Sequence, residues 1–149
     1  MPRNEIRTAK DLPVVDERGD FSAALTEDAL RESHLGLRTL PCTLDVEVDN
    51  WVCQVLGHVE KADGADAGKP AIGVVVGKPA VDSAIVQTMG PFKTSGLTPG
   101  TRYFLARTPG QITGTVPDPT EAGVVQEIGM AETSGVLRLK SPLTFTTVG

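Results

Sequence analysis

The chain has few aromatic residues, few cysteines and no long apolar run. Its 149 residues include one Trp, one Tyr and four Phe, so a core must be built mainly from Val, Ile, Leu and Ala. No segment approaches the roughly 18 consecutive apolar residues that a membrane-spanning helix needs, and no apolar stretch of the signal-peptide type stands at the N-terminus. We therefore expect no membrane partner and a chain that is made and folded in the cytosol.

The two cysteines, Cys42 and Cys53, form neither a disulfide framework nor a metal site by their pattern. Their spacing matches no zinc motif, and no cluster of His or Cys completes one. We interpret them as two free thiols that serve as small apolar residues. A disulfide is the alternative, which would be unusual in a cytosolic product.

Basic residues are not clustered anywhere in the chain. There are 14 Lys and Arg against 19 Asp and Glu, which gives a net charge of −5. A protein that binds nucleic acid needs a concentrated positive face to displace counterions from the phosphates. We therefore expect no nucleic-acid partner.

Motifs with known catalytic chemistry are also missing, including G-x-S-x-G, H-E-x-x-H, the P-loop and the dinucleotide fingerprint. We interpret His34 and His58 as surface residues rather than general bases. The acidic loop from Asp63 to Gly68 lacks the terminal Glu and the number of oxygen ligands of a calcium loop. Trp51 is interpreted as a core residue rather than a binding platform. We therefore expect no enzyme activity and no catalytic, cofactor or metal site.

Residues 1–43 differ in pattern from residues 44–149. The first segment is rich in charge, lacks strand alternation and contains one helix signal, between the capping residue Thr26 and Gly36. Two interpretations of this segment stay open, a partly ordered leader and an arm that orders against a neighbouring subunit. We predict an N-terminal arm over 1–43 and a β domain over 44–149.

The β domain reads as about nine short strands separated by turns. Pro99-Gly100 and Pro109-Gly110 suit the central positions of type II turns, and Gly77-Lys78-Pro79 is expected to turn the chain between two strands. Strands at such spacing predict a small antiparallel barrel or sandwich. The expected strands are Thr43–Val48, Trp51–Leu56, His58–Ala62, Ala71–Val76, Val81–Thr88, Arg102–Ala106, Gln111–Thr115, Val124–Ala131 and Val136–Lys140.

The two halves of the β domain look like diverged copies of one pattern. Gly73 and Gly129 stand at matching places after an Ile inside a strand, which predicts a bulge or close backbone packing there. Two related halves that close on one another would bury both inner faces. The matched segments are His58–Ala62 with Gly110–Thr113, Ala71–Val74 with Glu127–Met130, and Ala84–Val86 with Val136–Arg138.

Turn and strand motifs in the second half carry a family resemblance. The segments Ser95–Ala106, Thr108–Thr113 and Val124–Ala131 resemble a module common in virion proteins of tailed bacteriophages, where "sGLtpG..YyLs..tpG.it" precedes a proline-bearing loop and "vvq.vG.A". The module is similar to parts of head-decoration proteins, head fibres and tail fibres. The resemblance covers residues 50–142 and is best over residues 95–140.

The resemblance implies a structural virion protein without an active site. The expectation that follows is a capsid decoration (cement) protein on the outer surface of a tailed-phage head, made in the host cytoplasm, bound to the major capsid protein and assembled as a homotrimer. The alternative is a head or tail fibre or adaptor domain that contacts the host surface, although this chain lacks the long repetitive shaft and exposed aromatics usual in fibres. A small hydrolase or isomerase is a third alternative, against which the missing motifs argue.

Overall fold

The computed structural model describes residues 35–148, and this part of the chain is built from β-strands. No helix within it is long and apolar enough to cross a membrane, and the prediction of a mainly β chain is confirmed. His34 and most of the helix expected between Thr26 and Gly36 lie outside the described residues. The strands are β1 Arg38–Pro41, β2 Trp51–Val55, β3 His58–Lys61, β4 Gly73–Ala80, β5 Ser83–Gln87, β6 Gly90–Lys93, β7 Arg102–Leu105, β8 Ile112–Thr113, β9 Gly123–Val125, β10 Glu127–Thr133, β11 Val136–Leu139 and β12 Thr146–Val148.

The strands form two five-stranded sheets and one two-stranded sheet. The first sheet has the order β1-β5-β4-β2-β3, the second has the order β6-β11-β10-β7-β8, and β12 pairs with β9. When the strands of each large sheet are lettered a to e in chain order, both sheets read a-e-d-b-c. The segments matched by the sequence comparison take the same places in the two sheets, since β3 corresponds to β8, β4 to β10 and β5 to β11.

The two Pro-Gly segments form the turns that their sequence predicts. The Thr101 N–H donates to the Thr98 carbonyl at 3.1 Å across the first turn, and Gly100 has a φ of 81°. In the second turn Gly110 has a φ of 79°. Glycine adopts this left-handed conformation without steric cost, as the third position of a type II turn requires. Both turns are therefore of the expected type.

A turn of the same construction precedes β2 in the first half. It spans residues 47–50, and its third residue, Asp49, has a φ of 76°. The Asp49 N–H donates to the Val75 carbonyl at 2.8 Å, just as the Gly100 N–H donates to the Ala131 carbonyl at 2.8 Å. The two halves therefore share this loop anchor as well as their strand order.

The strand predicted at Thr43–Val48 is wrong, because this segment forms consecutive turns. The Val46 N–H donates to the Thr43 carbonyl at 3.2 Å, and the Thr43 hydroxyl donates to Asp45 Oδ1 at 2.6 Å. Short polar side chains of this kind compete with a strand ladder by bonding locally. Of the three alternating apolar residues only Val46 is buried, whereas Leu44 and Val48 are exposed.

The turn predicted at Gly77-Lys78-Pro79 is also wrong, since β4 runs through it and the chain reverses at Val81 and Asp82. The register of β4 against β5 shifts on both sides of Gly77. Bulges of this kind leave residues without a ladder partner, so Pro79 can lie in a strand without breaking a hydrogen bond. The pattern also missed β1, β6 and β12, and it merged β9 with β10.

The first sheet rolls until its two edge strands meet. Cys42, directly after β1, forms an isolated bridge with Val59 of β3, and the Thr43 N–H donates to the Val59 carbonyl at 3.1 Å. Neither sheet closes into a barrel, so the barrel alternative is wrong. The sheet starts at Arg38, within the range 1–43 assigned to the arm. The rolled sheet encloses a cluster of Cys42, Val46, Val52, Val59, Val75, Ala84 and Val86.

A second hydrophobic cluster joins the two large sheets. The Trp51 and Phe92 rings lie at its centre, edge to face, with their centroids 5.8 Å apart. The first half contributes Trp51, Cys53, Ala62, Ala71 and Val74, and the second half contributes Phe92, Leu105, Ile128, Leu137 and Leu139. The two halves therefore share this cluster, which adds to the cluster inside the first sheet.

Two buried glutamines add directional contacts beside this shared cluster. Gln126 accepts a bond from the Ala71 N–H and donates one to the Ala71 carbonyl, both at 2.8 Å. Gln87 donates from Nε2 to the carbonyls of Met89 and Pro91, at 2.9 and 2.8 Å. A buried amide without partners would cost the full desolvation of its polar atoms. These bonds give partners to both polar atoms of Gln126 and to the Gln87 amide nitrogen, and they fix the second half and its connecting segment relative to the first.

Gly129 is expected to be required because its neighbour strand approaches too closely for a side chain. A Cβ at this position would collide with the Arg138 carbonyl oxygen, and one at Gly73 would collide with the Gln87 carbonyl oxygen. Gly129→Ala should destabilise the fold by about 1–3 kcal/mol, the usual cost of overpacking, as measured by urea unfolding. Gly68→Ala is the control, because its nearest neighbour is a side-chain oxygen at 3.4 Å. Equal unfolding midpoints for the two variants would contradict this account.

Strand β1 is expected to belong to the stable fold. A chain that begins at Leu44 loses β1 with its ladder to β5, and it also loses Leu40 and Cys42 from the cluster inside the first sheet. It should melt well below a chain that begins at Leu35, because apolar burial and ladder hydrogen bonds are both removed. The comparison requires thermal melts of the two shortened chains. Identical melting temperatures would show that the fold does not need β1.

Candidate functional site

The described histidine, His58, is part of a small surface ion-pair network. Its Nε2 lies 2.9 Å from Glu60 Oε2, and Lys69 Nζ lies 3.3 Å from Glu60 Oε1. The hydrogen bonds from His58 and Lys69 lower the pKa of the Glu60 carboxyl. The network joins two residues of β3, His58 and Glu60, to Lys69 of the loop between β3 and β4.

The acidic loop from Asp63 to Gly68 uses its carboxylates for its own backbone. Asp63 Oδ1 accepts from the Ala65 N–H and Asp66 Oδ1 accepts from the Gly68 N–H, both at 2.8 Å. Asx turns of this kind stabilise a loop locally. Across residues 35–148, no group of three or more His, Cys, Asp and Glu side chains is placed to hold a metal ion.

The remaining residues considered from the sequence lie in the interior. Trp51 is 2% exposed and packs in the shared cluster. Cys42 and Cys53 are both buried and both free thiols, as predicted. Burial raises the pKa of the Cys53 thiol, which reduces its thiolate character and therefore its reactivity.

A concave surface among the described residues lies along β10 and β11. We call it the β10–β11 groove. Its volume is about 330 Å³, and it is open to solvent. The residues around it are Glu127, Gly129, Met130, Ala131, Glu132, Arg138, Leu139 and Lys140.

Strand register brings an apolar residue and several charges together in this groove. Met130 pairs with Arg102 of β7 on one side and with Arg138 of β11 on the other. Because directly paired residues of antiparallel strands share a face, these three side chains project from the same side of the sheet. The Met130 side chain is 42% exposed, so it forms an uncovered apolar centre between two guanidinium groups.

The charges around Met130 are partly paired with one another. Glu127 lies 4.0 Å from Arg102 Nε and 3.7 Å from Lys140 Nζ. Arg138 donates to Glu132, and this hydrogen bond raises the pKa of the Arg138 guanidinium. Counting Arg102 with the lining residues, three cations face two carboxylates, so the groove carries a net charge of +1.

This arrangement suits binding by contact rather than bond-making chemistry. An apolar centre within a polar and charged rim is the usual composition of a protein–protein interface. Sequence reasoning did not find the groove, although Gly129 and Met130 lie inside the motif that carries the family resemblance. Its elements come from three strands, and only their mutual register places Arg102 and Arg138 on either side of Met130.

The Glu60 network is expected to make stability depend on acidity. Because the pKa of Glu60 is lowered in the folded chain, its contribution is present above the ordinary pKa of about 4.5 and is lost as the pH falls through the lower folded value. Glu60→Gln should therefore reduce stability near neutral pH and converge with the parent chain in acid. Lys69→Met, which removes one partner, should reproduce part of this change. Urea unfolding over the range from neutral to acid pH measures the effect, and parallel pH profiles for parent and Glu60→Gln would contradict it.

No protein-family model, no curated protein and no solved structure matches this chain. Its function is therefore inferred from its own residues, from its fold and from the sequence pattern of residues 95–140.

Proposed function

We propose that this chain is a structural virion protein, a capsid decoration protein that binds the major capsid protein on the outer surface of a tailed-phage head. The observation that carries the proposal is the turn-and-strand pattern of residues 95–140. Its Pro-Gly elements are type II turns in the structure, and its "vvq.vG.A" element spans β9 and β10. The motifs that carry the resemblance thus coincide with β7, β8 and β10 of the second sheet and with β9, which pairs with β12.

We further propose that the two large sheets are diverged copies of one module, packed face to face as a two-layer sandwich. The identical strand orders support this proposal. The equivalent close approaches at Gly73 and Gly129 support it as well. A chain of two such modules buries one face of each in the shared cluster, and it presents the other face of the second sheet for contact with other proteins.

The physical properties of the chain suit a decoration role. A shell requires many copies of a small folded unit that stays soluble before assembly, and a net charge of −5 favours the solubility of free copies. Docking then requires only side-chain contact. Residues 1–34 precede the first sheet and carry five basic and eight acidic residues. We propose that this segment adds contact area on the shell, because several weak contacts made by one linked chain raise the overall affinity.

The copy number of the chain in purified virus particles tests this role. A decoration protein should be present in a fixed, large ratio to the major capsid protein, as measured by quantitative mass spectrometry of particles. Binding of the purified full-length chain to undecorated shells is the matching reconstitution. A handful of copies per particle would favour the head or tail fibre alternative, and absence from the particle would contradict a virion role altogether.

A further inference from the structure

The face that the first sheet uses to pack inside the chain is uncovered in the second sheet. In the first sheet, the pair Trp51 and Val74 lies in the shared cluster, and both residues are at most 2% exposed. The corresponding pair in the second sheet is Arg102 and Met130. It takes the same position, since Val74 follows Gly73 and Met130 follows Gly129. A face that serves for packing in one half therefore lies open in the other, at the β10–β11 groove.

A second uncovered surface lies at the end of the first sheet. The loop of residues 43–49 is held beside the β4–β5 turn by Lys78, whose Nζ donates to the Val46 carbonyl at 2.7 Å and to the Val81 carbonyl at 2.9 Å. The Cys42 N–H also donates to the Asp82 carbonyl at 2.9 Å. We call this surface the acidic tip, and its exposed side chains are Leu44, Asp45, Glu47, Val48, Asp49, Val81 and Asp82.

The acidic tip exposes apolar side chains together with negative charge. Leu44 is 74%, Val48 48% and Val81 72% exposed. Four carboxylates against the single Lys78 ammonium give the tip a net charge of −3. Large exposed aliphatic side chains grouped in this way are typical of an interaction surface rather than of a solvated loop.

The acidic tip and the β10–β11 groove are complementary in charge and in apolar content. The tip carries a net charge of −3 and the groove +1. The tip exposes three aliphatic side chains among its charges, and the groove exposes Met130. Within residues 35–148, no ion pair joins a tip carboxylate to Arg102, Arg138 or Lys140. We propose that the acidic tip of one copy of this chain docks in the β10–β11 groove of a second copy.

Such a contact joins two different surfaces, so it is heterologous. Each copy keeps one free tip and one free groove after the first contact forms, and the contact either closes into a ring or continues as an open series. The proposal goes beyond the virion role and does not depend on it, because the contact forms between copies in free solution.

Self-association of the full-length chain is the first measurement. Sedimentation equilibrium should give species at multiples of 15.7 kDa whose population rises with protein concentration. Association should weaken between about 0.05 M and about 0.5 M NaCl, because salt screens exposed charges. A monomer at every concentration, in low salt as well as high, would overturn the proposal.

Two double variants separate the surfaces. Glu47→Lys with Asp82→Lys reverses charge at the tip, and Arg138→Glu with Lys140→Glu reverses charge in the groove. Each should weaken self-association at least about tenfold, because like charges then face each other across the contact. Asp118→Lys with Glu121→Lys is the matched control, since both positions are exposed and lie on neither surface; it should associate like the parent chain.

Mixing the two double variants is the decisive step. Each retains the surface that the other has lost, so the mixture should regain association that neither variant shows alone. A mixture that stays monomeric would mean that the tip and the groove are not partners. Thermal melts establish that each variant is folded, and Met130→Ser tests the groove without changing charge should a reversal unfold the chain. The proposal would also be overturned if Met130→Ser associated like the parent chain and a folded charge-reversal variant, measured separately, did so too.

Discussion

The burial of Trp51 between the two halves is the contact on which the arrangement of both sheets depends. Its ring packs edge to face on Phe92, while its backbone N–H donates to the Gly110 carbonyl at 3.0 Å. One residue therefore takes part in the shared core through its side chain and in the junction of the halves through its backbone. The Trp51 ring is almost fully buried, and removal of a core Trp side chain costs about 3–5 kcal/mol in proteins generally.

The apolar cluster alone would leave the relative position of the two sheets loosely defined, because hydrophobic contact is not directional. The paired hydrogen bonds between Gln126 and Ala71 remove this freedom, since a displacement of either half would leave buried polar atoms without partners. Two backbone hydrogen bonds near the same junction also hold the halves in place. The Gly64 N–H donates to the Ala106 carbonyl, and the Gly110 N–H donates to the Ala62 carbonyl. The result is one compact unit in which apolar burial provides stability and the amide contacts define the position of one sheet relative to the other.

The sequence predicted the strands best where turn chemistry marks their ends. In the second half, the two Pro-Gly pairs predict type II turns, and the positive φ angles of Gly100 and Gly110 agree with this prediction. The strands β1 and β6 could not be found in this way, because Arg38–Pro41 and Gly90–Lys93 alternate poorly and each contains a proline. The β10–β11 groove could not be predicted at all, because it depends on the register of three strands, and register follows from packing between residues far apart in the chain.

The edges of the two large sheets decide how the protein behaves when many copies are crowded together. An edge strand with unpaired backbone groups invites another chain to extend the sheet, which leads to aggregation. Here the edges of the first sheet meet at Cys42 and Val59. In the second sheet, one edge strand contains Pro91, which has no N–H to offer, and the other, β8, has only two residues. Strand addition is thus blocked at these edges by geometry and proline chemistry, and contacts between copies at these two sheets are left to side chains.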